Sequence, residues 1–236
     1  MDAGAQVDKG GGRSSAGGRS GAPELATRDE RKLRTRSSLL DAALILMAQG
    51  RSFTSLGLRE ITREAGVVPT SFYRHFRDMD ELGLALVDDC SATLRQLLRE
   101  ARKDAAPVGD IIRRSVVIYK EFLVANRLQF MFMAGERSGG SPVIRSAIRN
   151  QVNLFILEMS QDLRRLNFLP NLTTASLQLL CGLVVNVMLN AASDILDMPS
   201  DDTQHEQELL ESSVRQLRMI FLGAMHWKEP AAKPAV

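Results

Sequence analysis

Between Gly66 and Phe76 the chain reads GVVPTSFYRHF, and Thr70, Ser71, Tyr73, Arg74 and His75 gather two hydroxyls, a phenol, a guanidinium and an imidazole there. That mixture suits a surface rich in hydrogen-bond acceptors and phosphates: arginine pairs with guanine through two bonds, while hydroxyls and aromatic rings meet phosphates or a thymine methyl. At about 100° per residue, Phe72 and Phe76 share a helix face with Pro69, Thr70, Ser71 and Arg74 lie opposite, and Tyr73 and His75 flank them. The two rings are expected to anchor a short helix, of about eight residues, that would not hold its shape in water alone. A merely solvated surface helix would carry the same polar face, so the neighbouring elements decide.

Two helices must support it. The segment RDERKLRTRSSLLDAALILMAQG, from Arg28, places Leu33, Leu40, Leu44 and Met47 at helical spacing and stops at Gly50. LREITREAG then sets Leu58, Ile61 and Ala65 on one face and ends at Gly66, a residue suited to the left-handed conformation. Helix, tight turn and short polar helix make the layout of a helix-turn-helix. Arg31, Lys32, Arg34 and Arg36 enter the first helix beside its free backbone N–H groups, a second set of candidate phosphate contacts. A long fourth helix, RDMDELGLALVDDCSATLRQLLREAR, opens at Asp78 with Glu81 three residues on, as in a capping box.

Turn signals at Pro107 to Gly109, Gly139 to Pro142, Pro170 with Asn171, and Pro199 with Ser200 divide the remainder into helices near 109–125, 127–137, 142–167, 173–196 and 202–227. LQFMFM has no partner strand and reads as helix. The expected fold is all-α with about nine helices: a three-helix helix-turn-helix DNA-binding domain at 28–77, then a larger helical ligand-binding and dimerisation domain at 78–227. A Gly/Ser-rich disordered arm at 1–27 and a flexible tail at 228–236 flank them.

Composition narrows the class. With 236 residues, 44% of them hydrophobic, the chain can bury a sizeable core. Its 30 Lys/Arg against 28 Asp/Glu hide an asymmetry: the basic excess lies in the first third and the acidic excess after it, so the basic part suits a polyanion. The two cysteines form neither a disulfide framework nor a metal-ligand spacing, and no apolar leader or membrane-length run occurs, so a cytoplasmic protein without membrane partner, metal or cofactor is expected. The three histidines are scattered, with no H-E-x-x-H and no glycine-rich phosphate loop, which argues against catalysis. An all-α enzyme built around an internal cavity, or an architectural DNA binder without a ligand, stays as an alternative.

Phe122, Phe130, Met131, Phe132, Met133, Phe155 and Met159 crowd the middle of the chain. A Met/Phe-lined space can take up an acyl chain, with Arg137, Arg145 or Arg149 near its mouth for phosphates or a carboxylate; plain core packing would explain the same apolar residues. Two-fold operators need two recognition helices, hence a homodimer. SLQLLCGLVVNVMLNAASDIL is apolar around most of its circumference, and Leu210, Val214, Leu217, Ile220 and Phe221 follow at helical spacing; two copies of these last long helices are expected to form a four-helix interface. Asn186 and Asn190 need partners if buried, across that seam or at a pocket.

The stretch TRSSLLDAALILMAQGRSFTSLGLREITREAGVVPTSFYRHFRDMDEL resembles the DNA-binding domain of the TetR family of bacterial repressors. The resemblance implies that Thr70, Ser71, Tyr73, Arg74 and His75 form a recognition helix, and that the residues near Thr35 and Arg59 begin helices facing the DNA backbone. Gly57 departs from the Ser or Thr cap the family favours, which should cost only a few tenths of a kcal/mol. REAGVVPTSFYRHFRDMDELGLALVD, ERSG at Glu136 to Gly139 and LRMI at Leu217 to Ile220 are similar to the FabR/DesT-type repressors of unsaturated fatty-acid synthesis. That similarity implies a long-chain acyl-CoA or acyl-carrier effector. A repressor of an efflux or catabolic operon sensing another hydrophobic molecule is the alternative.

Overall fold

The computed structural model describes residues 27–102, 108–199 and 202–229. The arm predicted at 1–27, save Thr27, and most of the tail predicted at 228–236 lie outside them. Nine α-helices and no strand occur among the described residues: α1 (Arg28–Ala48), α2 (Leu58–Glu64), α3 (Pro69–Phe72), α4 (Met79–Ala101), α5 (Val108–Ala125), α6 (Arg127–Ser138), α7 (Pro142–Arg165), α8 (Thr174–Asp197) and α9 (Thr203–Met225). A single 3-10 turn, Phe53–Ser55, joins α1 to α2.

Local chemistry sets the helix ends. Thr27 and Glu30 close a reciprocal cap on α1: the Glu30 amide donates to Thr27 Oγ1 at 3.2 Å and the Thr27 amide donates to Glu30 Oε2 at 2.6 Å. Gly50 and Gly66, at φ +85° and +66°, end α1 and α2 in the left-handed region. At α4, Asp78 Oδ1 accepts from the Glu81 amide at 2.8 Å as expected, but the return bond shifts one residue back, with the Arg77 amide donating to Glu81 Oε2 at 2.6 Å.

Glycine at position 57 supplies no capping side chain, and Glu60 makes up for it. Its Oε2 accepts from the Gly57 amide at 3.0 Å, while Arg51 donates to Oε1 at 2.8 Å and to Oε2 at 3.2 Å. The Arg51 bonds first, and then the Gly57 amide, pull the Glu60 carboxyl down from the usual 4.5 to about 2. A depressed carboxyl contributes stability that is complete above its unfolded pKa and is lost as pH falls through the folded value. Glu60→Gln is therefore expected to lower the melting midpoint at neutral pH, with the gap to the parent narrowing between pH 4.5 and pH 2. A gap that stays constant through that window would assign the loss to something other than the Arg51–Glu60 pair.

Three buried clusters organise the bundle. One joins α1, α2 and α3 to α4, α6 and α7, with Leu39, Ile61, Phe72, Phe76, Leu82, Phe132 and Ile144 among its members. The predicted helix-turn-helix thus shares its core with the body instead of closing on itself. Phe53 meets Phe132 edge-on at 5.3 Å, and a methyl added at Gly83 of α4 would stand 2.5 Å from Ile144 Cδ1 and 3.0 Å from the Phe53 ring, so glycine permits the close approach of α4, α7 and the 3-10 turn. The second cluster sits among α5, α7, α8 and α9, and the third among α4, α5, α6 and α8.

Leu33 departs from expectation, being 67% exposed, because α1 projects beyond its neighbours there; the apolar stripe begins at Leu39. In α9, Val214, Leu217 and Phe221 are buried within the chain, with Leu210 and Ile220 packed against them, so the stripe predicted to meet a second copy is used internally. The exposed apolar side chains lie on other faces: Leu179 and Leu183 on α8, Met219 and Leu222 on α9. Asn186 and Asn190 are exposed on α8, continuing the row of Leu179 and Leu183 at spacings of three and four. By length and composition α8 is apolar enough to cross a bilayer, yet it contributes Leu177, Leu180 and Cys181 to the second cluster and packs on α7 and α9, as a core helix does.

Candidate nucleic-acid interface and an apolar cavity

The helix carrying the polar face is shorter than the sequence pattern predicts. Only Pro69–Phe72 is α-helical, and the chain continues through a turn in which the Arg74 amide donates to Ser71 O, and the His75 and Phe76 amides to Phe72 O. Pro69 occupies the first helical position, where its missing N–H is no loss, and it is exposed instead of sharing the buried face. The anchoring is as expected: Phe72 is 0% exposed, Phe76 is buried, and their ring centroids are 5.6 Å apart. Thr70, Tyr73 and Arg74 are exposed and Ser71 and His75 half-buried, with Tyr73 at 65% held edge-on to Phe72 at 5.8 Å.

His75 lies among cations. Burial first, then Lys32, Arg36 and Arg74, press its pKa below the usual 6.5. The imidazole is neutral at neutral pH, and the same field marks a patch where α1 and the α3 turn converge. Arg34 and Arg59 are exposed and Thr35 is half-buried, its hydroxyl donating to Arg31 O at 2.9 Å. Arg36 is committed elsewhere in part: it pairs with Asp89 of α4 at 3.2 Å and covers the Phe76 ring at 5.6 Å, a position that ties α1 to α4 and to the anchor.

Behind this unit, a cavity of about 560 Å³ runs between α4, α5, α6, α7 and α8, within the range of small-molecule sites. Of the residues predicted to meet a ligand, Phe130, Met133, Arg137, Phe155 and Met159 line it. Phe122 does not: it packs on Phe130 at 5.7 Å and faces a separate groove between α4 and α5. Arg145 does not either, because its guanidinium donates to Gly139 O and Gly140 O, both at 2.7 Å, and so closes the turn between α6 and α7. Phe132 points into the first core cluster, one residue from Met133, which faces the cavity. Helix α6 therefore touches the first core cluster with one face and the cavity with another.

Three guanidinium groups line the cavity. Arg95 bonds to Gln151 and approaches Glu158 at 3.6 Å, and Arg102 pairs with Asp162 at 2.8 Å. Arg137 is exposed at the cavity edge and makes no ion pair among the described residues. Arg95, Arg102, Tyr119 and Asn190 are among the lining polar residues that the sequence pattern did not single out for this role, apart from the open alternative for Asn190. Arg95 and Arg102 sit in an unremarkable run of helix charges. Tyr119 carried the better signal, a polar tip on an apolar stripe with Ile112, Val116 and Leu123. No cluster of metal-ligating side chains occurs among the described residues.

Residues 39–86 match the family model for bacterial regulatory proteins of the tetR family, and residues 108–219 match that for the tetracyclin repressor-like C-terminal domain. Solved structures share the fold. The fatty acid degradation regulator FadR from Bacillus halodurans aligns with a TM-score of 0.62 at 15% identity, over 80% of this chain and 95% of its own. FadR from Bacillus subtilis, in complex with stearoyl-CoA, aligns at 0.60 and 13% identity, over 79% and 98%. A TetR-family transcriptional regulator from Streptomyces coelicolor aligns at 0.61 and 19%, over 82% and 97%.

Proposed function

Because the chain belongs to the TetR family of bacterial regulatory proteins, we propose that it is a dimeric transcriptional repressor whose hold on a palindromic operator is set by a long-chain acyl effector, and that it controls genes of unsaturated fatty-acid synthesis or desaturation. The observation that carries the effector reading is the double role of α6, which lends Met133 and Arg137 to the cavity and Phe132 to the core beneath the recognition turn. An acyl chain that displaces Met133 has to move or strain that core, because close-packed interiors do not deform freely. Operator half-sites are spaced by the DNA helix, so a small change in the separation of two recognition turns alters affinity. The stearoyl-CoA complex of the Bacillus subtilis relative supports acyl-CoA as the effector class.

Thr70, Ser71, Tyr73, Arg74 and His75 read the major groove in this account, while Arg34, Thr35, Arg36 and Arg59 hold phosphates at its edges. Leu179, Leu183, Met219 and Leu222, with Asn186 and Asn190 beside them, form the seam to a second copy: an exposed apolar face of this kind on two long helices is what a four-helix interface buries. Operator binding measured by fluorescence anisotropy with and without palmitoyl-CoA tests the sensor, and unchanged affinity would remove it. Arg74→Ala is expected to weaken operator binding by about 1–3 kcal/mol while the dimer and its melting midpoint persist. A variant that binds as the parent does would show that another face meets the DNA.

A further inference from the structure

Tyr119 lines the cavity and is only 5% exposed, and its hydroxyl has no hydrogen-bond partner among the described residues. Buried polar groups are nearly always paired, and one left single is costly to the fold, so an orphan beside a cavity asks for a partner from within it. The surroundings restrict what that partner is. Tyr119 meets Phe130 edge-on at 6.0 Å and packs among Cys90, Phe122 and Leu123, none of which offers a side-chain acceptor of any strength. Burial pushes the phenol well above its usual range and raises the Cys90 thiol to about 12, so both stay protonated and Tyr119 is a donor at every physiological pH. Arg137 is close enough to act on the Tyr119 phenol electrostatically, and at the cavity edge it is the one lining guanidinium without an ion pair among the described residues.

We propose that Tyr119 is the specificity-determining residue of the effector site: its Oη donates a hydrogen bond to the oxygen at the head of the acyl chain, with Arg137 facing negative charge beyond it. This rests on the acyl-effector reading and adds a polarity to it, with the chain running inward past Phe155 and Met159 and the carbonyl held near α5 and α6. A free carboxylate and a thioester both offer that oxygen. A hydrocarbon or an alkyl thioether of the same length offers none, and the site should discriminate accordingly, because a pocket that must leave a buried donor unpaired rejects the analogue lacking the acceptor.

The test compares the full-length protein with Tyr119→Phe, titrated calorimetrically with palmitoyl-CoA, palmitate and S-hexadecyl-CoA, the thioether in which the carbonyl is a methylene. The parent is expected to bind at least one acyl compound and to bind the thioether about tenfold more weakly than palmitoyl-CoA; the variant should lose about tenfold for the acyl compound and nothing for the thioether. Loss confined to palmitate, with palmitoyl-CoA inert, identifies the free acid as the source of the oxygen. The ligand-free variant should melt no lower than the parent, since it sheds an unpaired hydroxyl. Equal acyl binding by parent and variant, or a clearly lower melting point of the ligand-free variant, overturns the role of Tyr119 while leaving the sensor intact. Failure of the parent to bind either acyl compound overturns the effector reading and this inference with it.

Discussion

Phe72→Ala is expected to abolish operator binding, by more than a hundredfold, while most of the helical content survives. The side chain is 0% exposed and packs between Phe76, at 5.6 Å, and the α1–α2 framework through Leu39 and Ile61 in one cluster. Truncating a buried phenylalanine costs about 3–5 kcal/mol, a large share of a domain stability of about 5–15 kcal/mol. The damage falls on one place because α3 has four helical residues and no stability of its own; Phe72 is most of what orients it. Circular dichroism should report a lowered midpoint with the larger helices still formed, and anisotropy should report loss of DNA affinity. The comparison with Arg74→Ala is diagnostic: Arg74 is exposed, so its removal should reduce affinity without moving the midpoint. Retention of operator affinity within a few-fold by Phe72→Ala would mean that the polar face is not organised by the ring beneath it.

Helix existence was legible from periodicity because the long helices carry wide apolar stripes, and their stops were legible where glycine must take positive φ, as at Gly50 and Gly66. The length of α3 was not legible. The wheel that aligned Phe72 with Phe76 is satisfied equally by a regular helix and by the observed turn at 73–75, since both bury the two rings. Leu33 misled for a related reason: it keeps the right spacing, but spacing cannot say that a helix has run past the body it packs on. The division of the apolar stripe in α9 was hidden too. Val214, Leu217 and Phe221 face the chain's own core while Met219 and Leu222 face outward, and a sequence shows only that a helix is apolar on more than one side.

At the candidate sites, the exposed Thr70, Tyr73 and Arg74 follow directly from the burial of their neighbours, so this face could be read from the chain. Five of the seven predicted ligand-facing residues line the cavity because they lie on the inward stripes of α6 and α7. Arg145 looked equivalent to Arg137, yet it sits just inside α7, where the Gly139 and Gly140 carbonyls of the turn after α6 accept from its guanidinium. Of the two glycines between them, the second is bound up in the same turn. Gly140 has φ +58°, and a side chain there would stand 1.5 Å from Glu136 Oε2, so the turn that fixes Arg145 is one that only glycine fits.

The other large effect is expected at the Arg102–Asp162 pair on the cavity wall. Asp162→Leu should destabilise the protein by about 3–5 kcal/mol, because it strands the Arg102 guanidinium, which is 7% exposed and receives its carboxylate contacts from Asp162 at 2.8 and 3.3 Å. Arg165 also bonds to Asp162, but its side chain is largely in solvent and it is not stranded by the change. The double variant Arg102→Met with Asp162→Leu removes both charges and should recover to the parent value or above, since apolar replacements of similar volume commonly match a buried pair. Urea unfolding of the parent, Arg102→Met, Asp162→Leu and the double variant closes the cycle, and the coupling should persist at high salt because screening reaches buried charges weakly. The same guanidinium covers the Phe155 ring at 5.8 Å and lines the cavity wall. If Asp162→Leu alone unfolded within about 1 kcal/mol of the parent, less than the loss of a buried partner allows, Arg102 would have to be hydrated from the cavity. A cavity wet beside Phe155 would accept a polar group where the acyl chain is proposed to run, so a stability measurement far from the candidate DNA face bears directly on the proposed orientation of the effector.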